Sequence, residues 1–487
     1  MESGSARLGA LTEPSRRHPF AAVNLISDPI HGYLELTKRL SPAASGAAGL
    51  PEEDVAEEDL LDTAWLQRLR RISQLQSARW VFPTAEHSRF THGLGVMHEA
   101  GLWGRSLYPS LRAALVAAGE QPVPSEGLGV ETLRIAGLLH DVGHGPFAHF
   151  FDDHVLAAFA SPDDPRRDGP KRLTHEDLSQ RIIEGELGAL IGGVRRAPGA
   201  VPERDGFADR EAIDPRWVSF LVSKPALRDP SMPQWVRWLQ PLLSGVFTVD
   251  NIDYVRRDAY MIGVAVGPVD IERLRRYTFI GQRGLTLYEP GAGALEMFLT
   301  ARLFLYQQVY FHRTVRAIDL DLREVFGPSI RAIFGDGSPA ERLAEYADLD
   351  EYALLHQAAR WGRGESVARA GDAPPEPGDG RVTPAVAEAW RAVLLRQPRW
   401  RSEAEVRAEY EKGGRPEAEI AALGRAEPGA VEIDLAEVDA RPAEATATDS
   451  LLAVEGRSGG PGVPVSQALR RLPAWALIAR RYRRHPR

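Results

Sequence analysis

The stretch Ile135-Ala-Gly-Leu-Leu-His140-Asp141-Val-Gly-His144-Gly-Pro-Phe-Ala-His149 decides how this chain is read. An apolar helical segment runs directly into an adjacent imidazole and carboxylate, and two more histidines follow around a Gly-Pro break. Ionisable groups inside an apolar segment are costly to bury unless something compensates them. A bound metal ion does so. A lone buried His-Asp pair is more often a satisfied hydrogen-bonded pair. Here eight of the thirteen histidines (His87, His92, His98, His140, His144, His149, His154 and His175) crowd between positions 87 and 175.

The composition, 44% apolar and 26% charged over 487 residues, is that of an ordinary soluble protein. With no cysteine, a disulfide framework, a thiolate zinc site and a cysteine nucleophile are all excluded, leaving imidazole and carboxylate as the strong metal ligands. No run of eighteen apolar residues occurs, and Met1 to Arg17 has no apolar signal core, so a cytoplasmic protein without a membrane partner is expected. A net charge of -8 disfavours nucleic acid as a partner. The arginine-rich end (Arg470, Arg471, Arg480, Arg481, Arg483, Arg484, Arg487) reads as a solvated or subunit-contacting helix.

Along the chain, the Pro-punctuated first nineteen residues read as a disordered arm, and Ala22 to Leu36 alternates around Pro29 and Gly32 as a short hairpin. Ser41 to Asp59 reads as an inserted loop. Helical periodicity starts at Leu60 and runs through Leu75, and a second apolar helix, Leu133 to Leu139, delivers His140 and Asp141. Gly143 is the expected stop of that helix. Pro146 is the expected first residue of the next one, which carries His149 and Asp152. Thr174 is a candidate cap before His175. Val246 to Val255 keeps an apolar helical stripe that carries Asp250 and Tyr254, and Tyr277 to Tyr288 reads as a hairpin. Leu295 to Val325 reads as one long helix and Ala430 to Leu435 as a strand.

A divalent ion held by imidazoles and carboxylates needs ligands converging from separate elements. His92, then His140 with Asp141, then Asp250 meet that need, because an acid on an apolar stripe must be paired. Two nitrogens and two oxygens suit Mn, Fe, Co, Ni, Zn or, less comfortably, Mg. Such an open site suits metal-assisted hydrolysis of a phosphoester, with Arg89 placed for phosphate contact. A leaving oxygen also needs a proton donor. His149 poised by Asp152 is one candidate, and His144 or His175 is another.

The strings His87-Ser-Arg-Phe-Thr-His92-Gly-Leu-Gly-Val, His140 to His149 and Asp250-Asn-Ile-Asp-Tyr254-Val-Arg-Arg-Asp258 resemble those of the HD-domain deoxynucleoside triphosphate triphosphohydrolases over roughly Ile26 to Val325. The resemblance implies a mostly α fold: an HD-domain helical core with small β hairpins and a mixed α/β C-terminal region. The implied division is an arm at 1–20, a core at 21–335 and a regulatory or oligomerising region at 336–487. It implies His92, His140, Asp141 and Asp250 as metal ligands, and His144, His149, Asp152 and His175 as the acid-base and positioning group. Gln74, Leu75, Arg89, Tyr254, Asp258, Arg302, Tyr306 and Tyr310 would surround sugar and phosphates, with Gln74 and Tyr310 where a ribose 2'-hydroxyl would sit.

The implied reaction is dNTP hydrolysis to deoxynucleoside and inorganic triphosphate by a homo-oligomer, dimer or tetramer. Asp62, Gln67 and Arg70 align with a guanine-nucleotide activator site, and a plain solvated helix face is the other reading of them. Asn251 and Tyr306 replace the lysine and histidine of the human family member, thinning the expected triphosphate grip. No SAM-like leading domain is expected. Another HD phosphohydrolase (a nucleotidase or a cyclic or signalling-nucleotide phosphodiesterase) and a non-catalytic nucleotide-binding protein are the alternatives.

Overall fold

The long helix Arg89–Ala118 is the spine onto which the other ligand-bearing elements pack. It ends where Gly119 turns left-handed at φ 71°, a conformation that favours glycine. The helix Glu126–Leu139 packs along it, and every residue from Gly127 to Leu139 is buried. The helix Val249–Ile262 crosses the same spine. Gly95 makes room there, since a Cβ on it would lie 1.9 Å from Asp253 Oδ1. One continuous apolar cluster extends from Leu34 to Leu472, so the N-terminal hairpin and much of the C-terminal region share a core with these helices.

This computed structural model describes residues 22–40, 55–161, 172–199, 205–224, 229–369, 371–411, 413–441, 453–456, 463–465 and 469–485. The expected arm and most of the expected Ser41–Asp59 loop lie outside them. The fold is mostly α with small sheets. β1 (Val23–Asp28) and β2 (Gly32–Thr37) form the expected hairpin. β3 (Thr278–Gly281) and β4 (Gly284–Tyr288) form the second, which β7 (Ala453–Glu455) and β8 (Val463–Pro464) extend. β5 (Trp400–Tyr410), β9 (Trp475–Arg484) and β6 (Val431–Asp439) form an antiparallel sheet with β9 in the centre. No helix among the described residues is long and apolar enough to cross a membrane.

Several expectations are corrected. Helical structure begins at Glu57 rather than Leu60, and the run to Leu75 is broken into Glu57–Leu61, Ala64–Arg68 and a tight turn Leu69–Arg71, because Thr63 restarts the helix by accepting the N–H of Leu66. Pro146 does not open a helix. The chain passes through Phe147 and Ala148 at φ 59° and 48°, and the helix starts at His149. The single helix Leu295 to Val325 is two, Ala292–Leu305 and Arg313–Phe334, joined by a wide π-helical turn Tyr306–Tyr310. His312 restarts the second by accepting the N–H of Thr314 at 3.2 Å.

Within the arginine-rich end, Arg480, Arg481, Arg483 and Arg484 lie on a strand rather than a helix, Arg470 and Arg471 lie in a turn before it, and Arg487 lies outside the described residues. Between β5 and β6 the strand's arginines find acids: Arg480 pairs with Glu405, and Arg481 and Arg483 both meet Glu403.

Candidate metal centre and adjoining pocket

Three elements deliver the expected ligands. His92 lies in the first turns of its helix, His140 is the C-cap of Glu126–Leu139, and Asp250 sits in the first turn of a helix capped by Thr248, where the helix dipole favours a carboxylate. His92 Nε2 is 3.2 Å from Asp250 Oδ1 and 3.9 Å from Asp141 Oδ2. His140 Nε2 is 3.3 Å from Asp141 Oδ1 and 3.8 Å from Asp250 Oδ1. Atoms each about 2.1 Å from one centre stand about 3 to 4 Å apart, so His92, His140 and Asp141 form a group that could hold a shared cation, with Asp250 Oδ1 close to both imidazole nitrogens.

The nitrogen chemistry fits as well. His140 Nδ1 is 2.8 Å from the carbonyl of Gly137 and His92 Nδ1 is 2.8 Å from Asp253 Oδ2, so each ring in its neutral form places its hydrogen on Nδ1 and offers Nε2 to a cation. Both Nε2 atoms are buried and have no hydrogen-bond partner among the described residues. Burial opposes charge on His92, but Asp250 and Asp253 outweigh it and raise its pKa to about 9: the carboxylates call for a positive partner at that nitrogen. Burial would likewise raise Asp250, but Lys224 and His92 hold it well below the usual carboxylate range.

A second group, His144, His149, Asp152 and His175, stands beside the first. Gly143 shapes the junction, since a Cβ there would lie 2.2 Å from the carbonyl oxygen of His175. His144 Nε2 is 3.3 Å from Asp141 Oδ1, linking the two groups. Asp152 Oδ2 is 2.5 Å from His175 Nδ1 and 3.4 Å from His149 Nδ1. His149, with its side chain 64% exposed, reaches into an open pocket of about 240 Å³.

Gln74, Leu75, Arg89, Tyr254, Asp258, Tyr306 and Tyr310 line that same pocket. Arg89 also donates to Asp141 Oδ2, joining pocket to ligand set. Tyr310 donates to Asp258 Oδ2 at 2.5 Å, and His87 meets the other oxygen at 2.8 Å. Gln74 Oε1 is a buried acceptor without a hydrogen-bond partner among the described residues. Arg302 stands behind the wall: Nε donates to the Tyr254 hydroxyl at 3.0 Å and Nη1 to the carbonyl of Asp439 at 2.9 Å.

The structure brings Gln67 and Arg70 together, Arg70 Nε donating to Gln67 Oε1 at 2.8 Å, and lays the Arg70 guanidinium 3.6 Å over the ring of Phe90. Asp62 is exposed at the end of its own short helix.

Sequence reasoning missed Asp253, His31, Arg257 and Lys224. Asp253 carried a signal, an acid on the apolar stripe of the Asp250 helix. Lys224, whose Nζ is 2.9 Å from Asp250 Oδ2, arrives from another element and had none.

Residues 89–195 match the HD domain family model. The chain is 27% identical to deoxynucleoside triphosphate triphosphohydrolase SAMHD1 of Homo sapiens over 345 residues, 68% of this chain and 49% of that protein. The SAMHD1 homolog of Dictyostelium discoideum is 26% identical over 62% of this chain and 48% of its own length. YwfO, an uncharacterized protein of Bacillus subtilis, is 27% identical over 69% of this chain and 66% of its own. The chain thus spans about half the length of these curated SAMHD1 relatives. In fold it is similar to a hypothetical protein from Aquifex aeolicus, with a TM-score of 0.64 at 22% identity, covering 95% of this chain and 96% of that one. A phosphohydrolase from Bacteroides thetaiotaomicron gives 0.60 at 19% identity, covering 95% and 100%.

Proposed function

We propose that this HD-domain protein is a metal-dependent dNTP triphosphohydrolase, releasing deoxynucleoside and inorganic triphosphate. The observation that carries the reading is the convergence of His92, His140, Asp141 and Asp250 beside a pocket lined by Arg89, His149, Asp258 and Tyr310. Similarity to SAMHD1 supports the substrate class.

The four ligands would hold the cation. When bound, it supplies Lewis-acid activation and neutralises phosphate charge. Arg89 binds a phosphate oxygen while ordering Asp141, and Tyr310 with Gln74 closes the space beside the sugar. His149 donates the proton to the leaving oxygen, because it is the histidine of its group that lines the pocket and Asp152 orients it. His144, buried against Asp141, positions rather than donates. Homo-oligomerisation, and a guanine nucleotide at Asp62, Gln67 and Arg70, belong to the same proposal.

One observation favours a second reading, another HD phosphohydrolase acting on a nucleotide with fewer phosphates. Arg302 is engaged by Tyr254 and Asp439 behind the pocket wall, and Asn251 brings no charge. The purified chain with Mn²⁺ or Mg²⁺, challenged with dNTPs, NTPs and cyclic nucleotides, separates the readings by product. Triphosphate with deoxynucleoside supports the first and monophosphate the second, whereas nucleotide binding without turnover contradicts both.

A further inference from the structure

The turn Asp28-Pro-Ile-His31-Gly, remote in sequence from the ligand set, ends on the carboxylate behind His92. Asp28 Oδ1 accepts the backbone N–H groups of Ile30 and His31 at 2.9 and 3.0 Å, which fixes the hairpin tip. Its other oxygen accepts from Arg257 Nη1 at 2.8 Å. Arg257 grips Asp253 through Nε and Nη2 at 2.8 and 2.9 Å, and His31 Nε2 is 2.6 Å from Asp253 Oδ1. On the outer side Glu99 is 3.4 Å from His31 Nδ1 and 2.8 Å from Arg256, which donates to the carbonyl of Ile30 at 3.1 Å.

An imidazole presents its Nε2 lone pair only when Nδ1 carries the hydrogen and the ring is held in plane with its partner. His140 obtains both from the carbonyl of Gly137 on its own helix. His92 has no such local acceptor and depends on Asp253, which is fully buried. A buried carboxylate fixes a neighbour only if its own orientation is fixed. Arg257 and His31 do that from two sides, and His31 comes from the hairpin.

We propose that Asp253, clamped by Arg257 and His31, is a positioning residue that sets the tautomer and orientation of His92 toward a divalent cation, making the N-terminal hairpin tip a working part of the metal centre. The inference rests on the reading of His92 as a ligand.

The test is a Co²⁺ titration of the metal-stripped full chain, followed by absorption and calorimetry, with thermal unfolding of each variant as the folding control. Asp253→Asn is expected to weaken Co²⁺ binding by about 10- to 100-fold, and His31→Gln, which leaves Arg257 on Asp253, by about three- to tenfold. Asn24→Ala removes the same hairpin's 3.0 Å bond to Glu58, away from His31, and is expected to bind as the parent does. Should Asp253→Asn fail to fold, His31→Gln decides. Folded variants within about twofold of the parent overturn the proposal and leave the metal site standing. Equal weakening by Asn24→Ala overturns it too, by reducing the effect to hairpin stability. A parent chain that binds no Co²⁺ overturns the ligand reading itself.

Discussion

The imidazoles of His144 and His175 stack with ring centroids 3.6 Å apart and planes inclined by 20°. Two rings so close do not both carry charge cheaply, and their surroundings assign it. Burial opposes charge on His175, but Asp152 and Glu176 outweigh it and raise its pKa to about 9. Burial, then Arg89 and His175, push His144 well below its ordinary range. Because the folded pKa of His175 lies above the unfolded value of 6.5, its pairing stabilises fully below about pH 6.5 and is lost as pH rises through about 9. Asp152→Asn in the metal-stripped chain is therefore expected to lose at most about 3 kcal/mol near pH 6 and progressively less toward pH 10. Thermal unfolding across pH checks this; a loss that grows with pH contradicts the charge assignment.

Arg89 serves ligand and pocket at once, donating to Asp141 and lining the cavity. Arg89→Ala is expected to lower kcat/KM by about 10²- to 10³-fold, and Arg89→Lys to recover part of that, since a lysine cannot make the guanidinium's paired contacts. Steady-state kinetics measured alongside metal content distinguishes this from simple loss of the ion: the metal should stay within reach of His92, His140 and Asp250.

Tyr310 is held against Asp258 by a 2.5 Å hydrogen bond, and burial, then Asp258, push its hydroxyl pKa well up, so it stays a donor. If its ring occupies the space of a ribose 2'-hydroxyl, Tyr310→Ala is expected to reduce the preference for dNTPs over NTPs by about tenfold or more, while Tyr310→Phe leaves most of it. Competition between dATP and ATP in one reaction measures the ratio. An unchanged ratio in the alanine variant removes Tyr310 from sugar selection.

What the sequence made legible follows from where the forces are local. The helix delivering His140 is legible in kind only, starting at Glu126 rather than Leu133 and ending at Leu139 rather than at Gly143. The hairpin around Gly32 carries its own alternation, and it read correctly without knowledge of the rest. The Tyr306–Tyr310 turn did not, because a π-helical turn preserves apolar composition while shifting the phase, and only the pocket it faces explains it. The arginines of β9 looked solvated because the acids that meet them, Glu403 and Glu405, lie on another strand. Within the candidate centre, His140 and Asp250, polar groups in apolar runs, stood out, although Asp253 on the same stripe as Asp250 went unread. Lys224 and His31, whose significance is wholly their spatial neighbour, did not stand out.

The central claim, that one four-ligand cation site is the seat of hydrolysis, is tested most directly on Asp141→Ala. Asp141 faces both His140 Nε2 and His92 Nε2, at 3.3 and 3.9 Å, so its removal opens the set from the middle. Bound metal by elemental analysis and dNTP turnover by ³¹P NMR are measured on the same folded sample. The account predicts that both fall to background together, while full metal-dependent turnover in that variant would contradict it.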